Sequence, residues 1–232
     1  VCGPGNNGGD GYRTAIELLK KEYDVNVVQV AGKTPKSEEA IAALAEWEKL
    51  GRTTYTDPYD TPKADIVVDA IFGIGLERPL KDEFLDAAMW FNERRALHVS
   101  LDIPSGLDGG NGLPRPEAVR AHATVTFQAA KPGLIVPDAR EYTGELLVRP
   151  IGLPRKVMEH VPASFVMWQE CGEARHIPPA CPRHKGEAGR VLVLGGSAAM
   201  TGAPRLAALG ALRAGAGLLV VAAPEGAALP IR

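Results

Sequence analysis

The chain has no long apolar run. Nowhere do about 18 apolar residues follow one another, so no segment reads as a membrane-spanning helix. Cysteine is scarce: Cys2, Cys171 and Cys181 are widely spaced and form no CxxC pair, which argues against a disulfide framework. A zinc set drawn from Cys171, His176, Cys181 and His184 has irregular spacing broken by prolines, so reduced, unremarkable thiols are the preferred reading. Positive charge is not in excess either. The formal net charge is −2, which leaves no electrostatic footprint for nucleic acid or an anionic membrane. The chain also lacks an initiator Met and a signal peptide. It opens on Val1-Cys2-Gly3-Pro4-Gly5, the end of a strand running into a loop, so the natural N-terminus is expected upstream.

What is present is an ordinary globular composition, 45% hydrophobic and 23% charged over 232 residues, enough for one domain and a remainder. Strand and helix patterns alternate through the first 150 residues. Gly3 to Gly11 reads as a Gly/Asn loop. Tyr12 to Lys21 is predicted helical on Ala15, Ile16, Leu18 and Leu19. Val25 to Val30 is a β-branched strand. Ser37 to Leu50 is a helix with Ser37 as its cap and Ile41, Leu44, Ala45 and Trp47 as its buried stripe. Ala64 to Phe72 is an apolar run with two aspartates, as in a strand buried on both faces. A helix over Phe84 to Arg94 follows, then strands at His98 to Ile103, Thr124 to Phe127 and Gly144 to Val148. Such alternation implies βαβ units with right-handed crossovers, hence an α/β fold: a Rossmann-like, doubly wound parallel sheet.

The pattern then fades. Pro150, Pro154, Pro162, Pro178, Pro179 and Pro182 mark a connector. From Arg190 a strand, a glycine turn, a helix over Ala203 to Ala214 and a strand over Gly217 to Ala222 restart the alternation. So short a piece does not close a core of this kind by itself, so an incomplete second domain is expected.

Three segments carry chemistry. Gly3 to Gly11 (GPGNNGGDG) holds five glycines in nine residues. Missing Cβ atoms and a helix start near Gly11 suit a pyrophosphate; the bland alternative is a solvated glycine turn. Asp69 to Gly75 (DAIFGIG) puts a carboxylate at the C-terminal end of a buried strand, where open α/β sheets place ligands. Such a group needs a partner or a cation, unless it merely caps the next turn. Leu101 to Gly106 (LDIPSG) repeats the arrangement with Asp102 and Ser105, or else forms an Asx turn that ends its strand. Three such strand ends favour a shared crevice over three separate turns.

These motifs, with Thr124 to Phe127 and the Lys131-Pro132-Gly133 turn, resemble the YjeF N-terminal family of NAD(P)H-hydrate epimerases in order and interval over essentially all of residues 1 to 150. Lys185-Gly186, Gly189 to Ser197, Thr201 to Ala203 and Leu212 to Gly217 look like the opening of the ribokinase-like NAD(P)H-hydrate dehydratase domain. The two are fused in this order in bacterial bifunctional repair enzymes. The resemblance implies an epimerase domain over 1–153, a Pro-rich connector over 154–184 and the start of a dehydratase domain over 185–232. That domain's later nucleotide-binding and catalytic segments have no match here, so the chain is not expected to dehydrate anything.

The resemblance further implies site residues. Asn6, Asn7, Gly8, Gly9 and Asp10 would cradle NAD(P)H hydrate, and Gly73, Ile74, Gly75, Leu76, Glu77, Arg78 and Pro79 would form a second binding loop. Asp102 would touch the reacting end and serve as the acid–base group, with Lys131 as a second candidate beside the reading of a plain surface lysine. Asn7, Asp69 and Ser105 would hold a potassium ion. Ala203 would join the dehydratase substrate site in a complete domain, which would also use ADP or ATP with Mg²⁺. Ile74 departs from a Thr common in the family, and Met200 from an aromatic. A cytoplasmic homo-oligomer without nucleic-acid or membrane partners is expected.

Two other readings compete. The same fold serves as a non-catalytic scaffold in some mRNA-decapping proteins, but Asn7, Asp69, Asp102 and Ser105 are all retained here. An ordinary NAD-dependent dehydrogenase would want an acidic residue after the second strand to hold a ribose. Ala31-Gly32-Lys33 stands there instead.

Overall fold

The computed structural model describes residues 1–161, 184–186 and 188–227. Cys171, His176 and Cys181, and most of the expected connector, lie outside the described residues. The chain divides into two compact units, Val1–Val166 and Met167–Arg232. In order, the first contains α1 (Asn6–Lys20), β1 (Val27–Val28), α2 (Glu38–Lys49), β2 (Thr54–Tyr55), β3 (Ile66–Asp69), α3 (Asp82–Glu93), β4 (Leu97–Leu101), β5 (Ala123–Phe127), the short helices α4 (Pro132–Ile135) and α5 (Arg140–Thr143), β6 (Glu145–Arg149) and α6 (Arg155–Glu159). The second contains β7 (Arg190–Leu194), α7 (Gly202–Arg213) and β8 (Leu218–Ala222).

Among the described residues every pairing between these strands is parallel. β1 pairs with β2, and β3, β4, β5 and β6 pair in that order. Cys2 bridges the two groups, lying parallel to both Gln29 and Ala70. Its amide donates to Val28 O at 2.7 Å and the Gly3 amide to Ala70 O at 3.0 Å. The first residues therefore act as a central strand, and the sheet is the α/β, Rossmann-like one that the alternation implied. In the second unit β7 pairs with β8, also in parallel.

The largest difference from the sequence expectation concerns the glycine motif. It is helix, not loop: α1 begins at Asn6, six residues before Tyr12. Glycine disfavours helix by about 1 kcal/mol each, so local preference does not place it there. Close packing does. A Cβ on Gly8 would stand 1.9 Å from Gly3 O, one on Gly9 2.9 Å from Ala40 Cα, and one on Gly11 2.6 Å from Ala70 Cβ. These glycines let α1 settle on the sheet and on α2; of the motif's five, only Gly5 faces open space.

The same contact resets the buried stripe of α2. Ala40, Ala43, Leu44 and Trp47 are buried, whereas Ile41 is 45% exposed and Ala45 is half-buried. A methyl group is all that fits against Gly9, so the helix turns Ala40 inward. Ser37 caps α2 as expected, accepting from the Ala40 amide at 3.3 Å. Trp47 ties α2 to β2 through Nε1, which donates to Thr54 Oγ1 at 2.9 Å. β3 is not buried throughout: Ile66, paired with Leu97 at the N-terminal rim of the sheet, is 52% exposed.

Candidate functional site

A parallel sheet brings all its C-terminal strand ends to one rim. At that rim lie Gly3, Asp69 as the last residue of β3, Asp102 just beyond β4, and the turn after β5. α1 starts there too, and its first-turn amides have no intrahelical acceptor. No acidic side chain occupies that turn, so its positive end is open to an anion.

Asp69 is fully buried. Its carboxylate accepts from the Ile71 amide at 3.1 Å, Ser100 Oγ at 3.0 Å, the Ser105 amide at 2.8 Å and Ser105 Oγ at 2.6 Å. Burial pushes the carboxyl upward, against the bonds from Ser105, Ile71 and Ser100. Ser105 Oγ also accepts from the Phe72 amide at 2.9 Å, joining β3 to the turn after β4. Asn7 is buried and donates through Nδ2 to Leu101 O at 3.1 Å. Its Oδ1 is buried with no hydrogen-bond partner among the described residues. An orphaned acceptor of this kind is uncommon and suits a cation. The available donors in this region are hard oxygens, which suit an alkali or alkaline-earth ion. No group of three or more His, Cys, Asp or Glu among the described residues could hold a metal.

Asp102 has φ +66°, a left-handed conformation for a residue with a Cβ. Its side chain forms an ion pair with Lys131, both about nine-tenths buried or nearly so (11% and 14% exposed). Lys131 Nζ also donates to Thr126 Oγ1 at 2.9 Å and Phe127 O at 3.0 Å. Ile74 N approaches Asp102 Oδ2 at 3.4 Å, and a Cβ on Gly73 would lie 3.0 Å from that oxygen and 3.5 Å from Asn7 Cγ. Asn7, Gly73 and Asp102 thus meet.

Not every expected residue converges. Asn6 and the stretch Glu77 to Pro79 are exposed, and Ile74 is 67% exposed beside Asp102. Gly8 and Gly9 are buried, with the side on which a Cβ would stand packed against Gly3 and Ala40. Ala203 lies exposed in the first turn of α7, in the second unit. Sequence reasoning gave no role to Ser100 or to Arg115, whose Nη1 holds Glu77 O at 2.7 Å, and had Thr126 and Phe127 only as part of the Thr124 to Phe127 stretch of the family motif. A cavity of about 390 Å³ beside Leu113, Pro137 and Tyr142 contains none of the site's residues.

Asp10 is half-buried, and burial first, then the charge of Asp102, pushes its carboxyl up to about 6. A raised acid favours the fold in its neutral form. The benefit is full below the unfolded value near 4 and is lost as pH rises through about 6. Asp10→Asn is therefore expected to stabilise the protein above pH 6 by roughly 1 kcal/mol, after allowing for solvent screening, or about 2–4 °C in melting temperature. Below pH 4 the two proteins should melt together. A gain that persists at low pH would refute this assignment.

Comparison with known proteins fits this geometry. Residues 1–133 match the family model described as YjeF-related protein N-terminus, and residues 191–232 match the one described as NAD(P)H-hydrate dehydratase. A protein named bifunctional NAD(P)H-hydrate repair enzyme Nnr from Methanothermobacter thermautotrophicus is 41% identical, aligned over 100% of this chain and 45% of its own length. Proteins of the same name from Pyrobaculum aerophilum and Vibrio cholerae are 39% and 35% identical, over 98% and 90% of this chain and 46% and 43% of theirs. The chain spans a little under half the length of these curated relatives. The crystal structure of yeast ynu0 shares the fold, with a TM-score of 0.51 and 24% identity over 57% of this chain and 58% of that one.

Proposed function

The chain belongs to the YjeF-related N-terminal family, and from that premise we propose that residues 1–153 interconvert the R and S epimers of hydrated NADH and NADPH at C6. Residues 154–184 serve as connector, and residues 185–232 begin a dehydratase domain. In a longer protein that domain would return the S form to NAD(P)H, using ADP or ATP with Mg²⁺, and Ala203 would line its substrate site. The protein acts as a cytoplasmic homo-oligomer on a small molecule, without nucleic-acid or membrane partners. Among the described residues no helix is long and apolar enough to cross a membrane.

One observation carries the epimerase reading: a carboxylate, Asp102, sits at the strand-end rim beside Asn7 and Gly73 and is held by Lys131. The hydrate's C6 hydroxyl is a hemiaminal next to ring N1. Its C–O bond breaks with the electron pair going to oxygen, which takes a proton and leaves as water, while the N1 lone pair fills in at C6. Water then returns to the opposite face and gives up a proton, so the proton count closes. Asp102 does both: with its carboxyl protonated it gives the proton to the departing oxygen, and as the carboxylate paired with Lys131 it takes the proton of the returning water. Asn6 to Asp10 and the 73–79 loop hold the dinucleotide, whose pyrophosphate lies at the start of α1.

Asn7, Asp69 and Ser105 would hold potassium, with the unpartnered Asn7 Oδ1 as the donor that lacks another use. The ion would offset the buried charge of Asp69. Potassium at ten times its Kd should add about 1.4 kcal/mol of stability, roughly 3–6 °C in melting temperature. Asn7→Ala should abolish the response, and an equal rise in both proteins would exclude Asn7 as a ligand.

The direct test mixes the protein and potassium with the separated R epimer of NADPH hydrate and follows the S epimer by chromatography. Conversion well above the spontaneous rate supports the reading. No conversion, with nucleotide still bound, would move a non-catalytic scaffold to first place.

A further inference from the structure

Thr126 is fully buried on β5, on the same side of the strand as Thr124. The two hydroxyls are used differently. Thr124 Oγ1 donates to Thr143 O at 2.8 Å, a bond that only joins strand to helix end. Thr126 Oγ1 receives Lys131 Nζ at 2.9 Å and stands 3.5 Å from Asp102 Oδ1. Lys131 Nζ therefore meets three acceptors: Asp102 Oδ1, Thr126 Oγ1 and Phe127 O. An ammonium has three hydrogens, so all of them are engaged.

The Asp102 carboxylate is consequently asymmetric. Oδ1 is held by Lys131 and faces Thr126 and the Phe127 amide at 3.4 Å. Among the described residues Oδ2 meets only the Ile74 amide, at 3.4 Å, and the bare side of Gly73. The backbone at Asp102 is strained, with φ +66°, and strain of this sort persists only where the surroundings over-determine it.

We propose that Thr126 is a positioning residue: its buried hydroxyl fixes Lys131 so that Lys131 anchors Asp102 Oδ1 and leaves Oδ2 as the oxygen that meets substrate. The proposal rests on the epimerase reading and deepens it. Lys131 becomes an anchor rather than a proton donor, because none of its hydrogens is uncommitted.

The test compares the full chain with Thr126→Val, which keeps the shape and removes the hydroxyl, and Thr126→Ser, which keeps the hydroxyl. Epimerisation kinetics and the ¹⁵N NMR signal of the Lys131 ammonium are read together. Thr126→Val should lower kcat roughly 10–100-fold with KM within about twofold, the scale of a misplaced catalytic group. Thr126→Ser should restore kcat to within a few-fold. The exchange-protected Lys131 signal should be present in wild type and Thr126→Ser and absent in Thr126→Val. Unchanged kcat in Thr126→Val, a loss confined to KM, equal damage in both variants, or a Lys131 signal indifferent to the hydroxyl would each overturn the proposal. If the wild type itself turns nothing over, the epimerase reading fails, and the Lys131 signal still decides whether Thr126 fixes the ammonium.

Discussion

Asp102→Asn is expected to lower epimerisation about 10²–10⁴-fold, the usual worth of a positioned acid–base group, while the protein stays folded. Asn is the informative substitution. It matches Asp in shape and tolerates the left-handed backbone that residue 102 adopts at φ +66°. Ala would confound lost chemistry with added strain. The amide cannot exchange the proton, and it leaves the Lys131 ammonium without its carboxylate. Because that pair is largely buried, the variant should also melt lower, by roughly 1–2 kcal/mol, less than the 3–5 kcal/mol of a fully buried pair. The R epimer of NADPH hydrate, followed by chromatography beside a thermal melt, separates the two effects. A folded variant with wild-type turnover would remove Asp102 from the chemistry.

Gly8→Ala should destroy the fold of the first unit or cost it more than about 4 kcal/mol, an exceptional loss for one methyl group. The added Cβ would sit 1.9 Å from Gly3 O and 2.8 Å from Gly3 C, backbone atoms that no rotamer change can move aside. Gly3 is itself pinned, its amide on Ala70 O and its own would-be Cβ 1.9 Å from Ile71 O. Relief therefore requires α1 to lift from the sheet, taking Asn7 from Leu101 O. Gly5→Ala is the control: nothing lies within 4 Å of its Cβ, and its φ of −101° suits any residue. Chemical unfolding should give Gly5→Ala within about 0.5 kcal/mol of wild type. Equal stability of all three proteins would mean that the glycines serve the ligand and not the packing.

These two positions mark where the sequence was legible. Asp102 stood out because a carboxylate after an apolar strand ending in a glycine turn is a local pattern, read within six residues. Asp69 and Ser105 stood out for the same reason, and the structure joins them through two hydrogen bonds from Ser105. Gly8 was visible as part of an unusual motif but was given the wrong surroundings. Glycine's low helix preference pointed to a loop, whereas the helix runs through it. The loop over Gly73 to Pro79 was read as one binding segment, yet only its first two residues reach Asp102.

The sequence by itself determined the alternation of strand and helix, the all-parallel character of the sheet, the cap at Ser37 and the family motifs, because each is set by periodicity or residue type within a short window. The tertiary structure alone decided that four glycines are contact points between helix and sheet, that α2 buries Ala40 instead of Ile41, and that Thr126 and Lys131 share one carboxylate oxygen of Asp102. Those contacts join residues 24 to 29 positions apart or on different elements. No local pattern encodes them, since they exist only once the packing of helix on sheet and strand on strand fixes which atoms meet.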